Sequence, residues 1–288
     1  MARFRSSWRS DVTALTVLAV ALATGQSSAT SQSVDPQQLV RQVVDHEVQM
    51  DNADHSHWRY KQTHTDPAKN VVKDCVDTKQ GTICRRIAEG GHPLTPAERK
   101  IEQRRIENLL NNPVEQRKEQ KARREDGDRA LQMLKMLPDA FRYHYDGEEG
   151  NLVRLRFEPN PGFNPPTREA RVFHCMSGFI WVDREQKRLT QLKGRLTRDV
   201  KFGGGLLGHR DSGGTFEVKR EDVGGGHWDT TLLDVNIHGK VLFFKTINAE
   251  QHEVTENFKR VPDDLSLAQG ASLLQTPAAD AKLNAAVR

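Results

Sequence analysis

Residues 152–158 read LVRLRFE. Val153, Leu155 and Phe157 fall on one side of a two-residue alternation, and Arg154, Arg156 and Glu158 on the other. Successive side chains of a strand point to opposite faces, so the stretch reads as a strand with one apolar and one wet face. The same period runs outward from it, between Phe141 and Pro262. Residues 172–182 read as one long strand passing through Gly178, and Leu192, Leu196 and Val200 stand against Gln191, Lys193 and Arg195. Phe216 and Val218 alternate with Glu217 and Lys219, and Leu233, Val235 and Ile237 with Asp234, Asn236 and His238. Val241, Phe243 and Ile247 follow a turn at 238–240, and Val254 and Phe258 end the series. An antiparallel sheet with one solvated face produces this pattern; a parallel sheet covered on both sides does not. Sequential hairpins without an intervening helix argue for a strongly curved antiparallel sheet, an open or incomplete β-barrel. The expected class is α+β, with helices packed in or over the concave face.

Those helices are predicted upstream. Asp35 followed by Pro36 is an N-cap with proline at the first helical position. Leu39, Val40, Val43, Val44 and Val48 then recur at helical spacing to about Met50. Residues 57–88 change to short, polar strands, WRYKQTH, NVVKDCV and TICRRIA, with turns at 66–67 and 79–81. Thr95, Pro96 and Glu98 form a capping-box pattern that starts a helix through Ile101, Arg105 and Leu109 to Asn112. Pro113 interrupts it, and a second helix runs to about Met136. Between Glu98 and Lys135 stand eleven Lys or Arg and eight acidic residues. That balance describes a solvated helical pair with one apolar strip, since a nucleic-acid helix would carry fewer acids. The organisation expected is one domain over 35–262 with this charged insertion at 95–136, then a flexible tail at 263–288.

Residues 1–29 read as a cleavable secretory signal peptide: Arg3, Arg5 and Arg9, an apolar run from Val12 to Ala23, then small residues to Ala29. Cleavage after Ala29 is preferred to Ala23 because Ser27 is also small. The apolar run has 12 residues, against about 20 needed to cross a bilayer. No cysteine lies near either point, which argues against N-terminal lipidation, and no later segment is long and apolar enough to anchor the mature chain. The net charge of +4 includes the three arginines and Asp11 of this segment, leaving +2 for the remainder. So balanced a chain does not point to nucleic acid. The address expected is periplasmic, where disulfides persist. Cys75 and Cys84 flank a turn at 79–81 symmetrically, which makes a cross-strand bond geometrically possible; with Cys175 the three cysteines allow three pairings.

Reactive constellations are few. Residues 203–208, GGGLLG, match a dinucleotide fingerprint in letters, but a turn follows where a helix is required. His46, His55 and His57 lie among acids without a complete metal signature. His174 and Cys175, read on one strand, point to opposite faces and cannot act as base and nucleophile together. Trp58, Trp181 and Trp228 read as packing residues. The sequence offers no case for an enzyme, a metal or a cofactor.

The succession CMSGFIWVDREQKRLTQLKGRL (175–196), DVKFGGGLLGHRDSGGTFEVKREDV (199–223), HWDTTLLDVNIHGKVLFFKTI (227–247) and HEVTENFKRVP (252–262) resembles the LolA/LolB-like superfamily of periplasmic lipid and lipoprotein carriers. In that group a sheet wraps an apolar cavity, and the resemblance covers about residues 141–262. The helical pair at 95–136 departs in length from the compact carriers. The resemblance implies a non-enzymatic carrier of acyl chains, lipid or lipoprotein. Burial of each methylene is worth about 0.8 kcal/mol without polar chemistry. The lining expected is Leu192, Leu196, Val200, Phe216, Val218, Leu233, Val235, Ile237, Val241 and Phe243. The alternative is an envelope structural, interaction or stress-sensing module, with a filled core and a protein docked on the 95–136 helices.

Overall fold

The computed structural model describes residues 34–196, 214–237 and 250–275. The segment 1–29, the glycine run at 203–208 and the positions Val200, Val241, Phe243 and Ile247 lie outside the described residues. Among those described, helix α1 spans Pro36–Ala53, and strands β1 (His57–Asp66), β2 (Lys69–Val76), β3 (Ile83–Glu89) and β4 (His92–Pro93) form a first meander. Helices α2 (Pro96–Asn111) and α3 (Pro113–Ala140) follow. Then come β5 (Phe141–Glu149), β6 (Leu152–Pro159), a 3-10 helix over Glu169–Cys175, β7 (Met176–Asp183) and β8 (Arg188–Leu196). The last elements are β9 (Thr215–Gly224), β10 (His227–Asn236), β11 (Glu250–Val261) and α4 (Leu267–Leu273).

The strands form one sheet of 11, in the order β4-β3-β2-β1-β11-β10-β9-β8-β7-β6-β5. Each neighbour whose register is known is antiparallel, and the two meanders join where β1 pairs with β11. Its ends, β4 and β5, are not paired with each other, so the sheet does not close into a barrel. The expected α+β class and open antiparallel sheet are therefore present.

Helix starts follow the sequence closely. Asp35 accepts from the Gln38 amide at 3.2 Å. Thr95 and Glu98 cap each other's backbone amides at 2.7 and 3.3 Å. Pro113 ends one helix and opens the next: Asn112 closes α2 and its side chain accepts from the Val114 and Glu115 amides, so proline sits where its missing N–H costs nothing.

Two expectations need correction. Residues 169–175 are a 3-10 helix and not the first half of a strand; Ala170 and Phe173, like Val172 and Cys175, are buried at three-residue spacing, the period of that helix. His174 and Cys175 therefore sit on a helical turn, with the His174 ring 6.1 Å from Phe163. Part of the stretch expected as a loose tail is ordered. Leu265, Ala271 and Leu274 join Val76, Ile83, Ile106 and Leu109 in a small core where α2 and α4 cover β2 and β3. Gly270 is required there, because a Cβ would lie 2.7 Å from Thr78.

The larger core lies under α1. Leu39, Val40, Val43 and Val44 meet Val153, Leu155, Phe157, Ile180, Val182 and Leu189 of β6 to β8, with Leu137, Ala140, Phe141 and Phe173 at one side. The opposite face is wet, as the alternation requires: Glu217 binds Lys193 at 2.8 Å, Lys219 at 3.4 Å and Gln191 at 2.7 Å, on β8 and β9.

Candidate ligand-binding face

Pairing registers align the side chains on the α1 side of the sheet into rows that cross the strands. One row reads Leu155, Ile180, Leu192, Val218, Leu233, Glu253, His64 and Val71, from β6 through to β2. Its burial changes along its length. Leu155 and Ile180 are sealed at 0% and 1% exposure. Leu192, Val218 and Leu233 are half-buried, and Glu253 and His64 are polar and also half-buried. The neighbouring row reads Phe157, Gly178, Gly194, Phe216, Val235 and Gln251. Its paired glycines let the strands approach closely: a Cβ on Gly178 would stand 2.1 Å from the Lys193 carbonyl oxygen, and one on Gly194 would stand 2.5 Å from the Phe216 ring. Phe216 thus fills the space over Gly194 that a side chain would have taken.

Seven of the ten expected lining residues are described, and all seven belong to this face. Leu196, Phe216 and Val235 are buried; Leu192, Leu233 and Ile237 are partly buried against the core, and Val218 stands between Leu192 and Leu233. Leu192, Val218, Leu233 and Ile237 are the half-buried margin of the packed interior.

Helix α3 is anchored at both ends. At its start Gln116 donates to the Leu109 and Leu110 carbonyls at 2.8 and 3.0 Å, and Gln120 donates to the Gln80 carbonyl in the β2–β3 turn. At its end Leu137, Pro138 and Ala140 are buried and the chain passes directly into β5, the opposite edge strand. With 28 residues it is about 42 Å long, close to the roughly 48 Å width of the sheet. Between the anchors every residue of 121–130 except Asp126 is exposed. A helix exposed on all sides over nearly three turns is held by its ends and not by packing beneath it.

Two polar clusters border the row, and neither is legible as a motif. Glu47, on the buried side of α1 and only 2% exposed, accepts from the Leu189 amide at 2.8 Å and pairs with Arg188 at 3.2 Å and with Arg220. Arg188 lies with its guanidinium 5.1 Å from the Trp228 ring centre, and burial lowers its pKa. Arg220 also donates to the Trp228 carbonyl at 3.2 Å. This network ties α1 to β8, β9 and β10.

Beyond it, His227 stacks on Trp58 at 5.0 Å, pairs through Nδ1 with Asp54 and stands 3.8 Å through Nε2 from Asp229. Burial would raise the Asp54 pKa, but hydrogen bonds from His227 and Ser56 outweigh it and bring it to about 2. Burial opposes protonation of His227, and Asp229 and Asp54 together raise its pKa nonetheless. Ser56 meets the same Nδ1 at 3.4 Å and accepts from the Trp58 indole at 2.7 Å. Ser56 and Asp54 share Nδ1, and Asp229 faces the other ring nitrogen.

Comparison with family models, with curated proteins and with solved structures returns no significant match.

The remaining sequence candidates are dispersed. His46 faces the Lys187 carbonyl at 3.2 Å and His57 faces Asp263 at 3.3 Å. Among the described residues no three metal-ligating side chains converge. Cys75 and Cys84 form the cross-strand disulfide between β2 and β3, with Cα atoms 4.0 Å apart. Cys175 is buried outside that bond. No helix among the described residues is long and apolar enough to cross a membrane.

Proposed function

We propose that this protein is a non-enzymatic, extracytoplasmic carrier of acyl chains, whether free lipid or the lipid of a lipoprotein. The observation that carries the reading is the half-buried set Leu192, Val218 and Leu233, continuous with a sealed core, in a chain whose helix α3 is exposed between anchored ends. An acyl chain laid on these side chains needs apolar contact and room, and a helix fixed only at its ends yields room at little cost in lost packing. The Cys75–Cys84 disulfide supports an oxidising, periplasmic location.

Extraction of the purified protein followed by lipid mass spectrometry, with titration of a fluorescent fatty acid, tests the reading. Bound lipid or saturable uptake is expected, with uptake lost in Leu233→Asp. A lipid-free protein that takes up no fatty acid overturns it.

A second reading has an observation of its own. The exposed length of α3 carries Lys121, Arg123, Arg124, Glu125, Asp128 and Arg129, a surface on which an envelope protein could dock. Deleting part of that helix separates the two readings: a carrier keeps its lipid, whereas a docking module loses its partner.

A further inference from the structure

The polar end of this face holds a half-buried lysine. Lys73 of β2 stands between Gln62 of β1 and Arg86 of β3, and shares its side of the strand with Val71 and Cys75, both buried. It is half-buried, and among the described residues no hydrogen bond or ion pair reaches its ammonium group. The nearby groups that could serve it are committed elsewhere. Glu102 is bonded to Arg105 at 2.7 Å and to the Arg86 amide at 2.9 Å. Glu253 accepts from Gln62 at 3.1 Å and meets His64 at 3.3 Å.

Burial lowers the Lys73 pKa most; Glu253 opposes that, and Lys69, Arg123 of α3 and Arg105 of α2 lower it further. Arg123 also lines a crevice with Gln80, Thr82, Gln116 and Gln120, where α3 meets the β2–β3 turn. A partly desolvated ammonium among like charges is costly until an anion joins it. From Leu233 the face therefore runs through Glu253 and His64 to Lys73 on β2, from apolar to charged, as an amphiphile runs from chain to head. Lys73 is three strand spacings, about 14 Å, from the strand of Leu233.

We propose that Lys73, with Arg123 of α3 nearby, receives the anionic head, carboxylate or phosphate, of an amphiphile whose chain lies along Leu233, Val218 and Leu192. This rests on the carrier reading and names the headgroup chemistry of the same face. A charge-assisted contact of this kind corresponds to a preference of about tenfold or more.

The test uses the full chain and three probes below any micelle concentration: dodecyl phosphate, dodecyl maltoside with the same chain and a neutral head, and inorganic phosphate. The wild type is expected to bind dodecyl phosphate at least about tenfold more tightly than the maltoside, and inorganic phosphate much more weakly. Lys73→Gln removes that preference without weakening the maltoside, and Lys73→Arg retains it. Equal binding of the two amphiphiles by the wild type overturns the proposal and leaves the carrier reading standing, as does a preference that survives Lys73→Gln. Inorganic phosphate bound as tightly as dodecyl phosphate replaces the amphiphile with a free anion and overturns it too. Binding of neither amphiphile overturns both readings. The wild-type measurement decides the matter even if a variant fails to fold.

Discussion

The two ends of the sheet present the same face in different chemistry. On β6 and β7 the inward side chains are Leu155, Phe157, Ile180 and Val182, sealed under α1. On β1 and β2 they include Gln62, His64 and Lys73, half-buried near α2 and α3. Backbone pairing is continuous from one to the other, so what changes is the solvent each end tolerates. The edges differ as well. At β3, Glu102 accepts from the Arg86 amide and Arg105 donates to the Cys84 carbonyl at 2.6 Å, so two side chains of α2 take the place of a missing strand. At β5 the edge is guarded by a register shift between Tyr145 and Gly147 and by charged residues, which discourage pairing with another chain. The β6–β7 end holds α1 by area, and the β2–β3 end holds α2 by specific bonds added to the small core of Val76, Ile83, Ile106 and Leu109.

The largest expected effect breaks the join between α1 and the sheet. Glu47→Ala leaves Arg188 and Arg220 in a buried site without their carboxylate and is expected to cost about 3 to 5 kcal/mol in a denaturant titration. Replacing all three, Glu47→Leu with Arg188→Met and Arg220→Met, should recover much of that loss, because no orphan charge remains. Next comes Gly178→Ala, where the new Cβ meets the Lys193 carbonyl. About 3 kcal/mol is expected, the upper end for overpacking, since backbone cannot swing aside as a side chain can.

Reducing the Cys75–Cys84 bond sharpens the comparison from the other end. The bond closes a sequence separation of only 9, so about 2 kcal/mol is expected, at the lower end for disulfides. Hydrogen exchange should show where that loss falls. If the two ends are separable units, reduction speeds exchange in β2 and β3 and leaves β6 and β7 protected; uniform acceleration would mean one cooperative unit.

Much of this contrast is present in the sequence, unevenly. LVRLRFE shows its buried face by period alone, because inside and outside differ in polarity. HWRYKQTHTD of β1 does not, because its inward Gln62 and His64 are as polar as its outward Arg59 and Lys61; its strand character is legible and its orientation is not. Residues 169–175 mislead for a related reason: Val172, Phe173 and Cys175 continue into a true strand, and only their three-residue spacing betrays the 3-10 turn. Glu47 lies in DHEVQMD, where every neighbouring acid suggests solvent. Its partners are 141 and 173 residues away in sequence, so no local signal could find the cluster. The apolar margin Leu192, Val218 and Leu233 was legible, whereas Lys73 at the polar end reads as any strand lysine until the helices are in place.

The smallest expected effect concerns His227, which links the end of α1 to the β9–β10 hairpin and so belongs to neither end of the sheet. Its ring faces Asp54 after α1, Asp229 on β10 and Ser56 before β1, and stacks on Trp58. The two carboxylates raise its pKa in the folded chain above the unfolded value of about 6.5. Protonation therefore favours the folded state. That contribution is whole below the unfolded pKa and is lost as pH rises through the higher folded one. Thermal midpoints measured across this range should fall with rising pH, and His227→Asn should flatten that part of the slope while lowering stability at the acid side. Asp54→Asn should flatten it only partly, because Asp229 still faces Nε2. A slope unchanged in His227→Asn would mean that another group carries the titration and that the stack on Trp58, not the charge, holds the hairpin to α1.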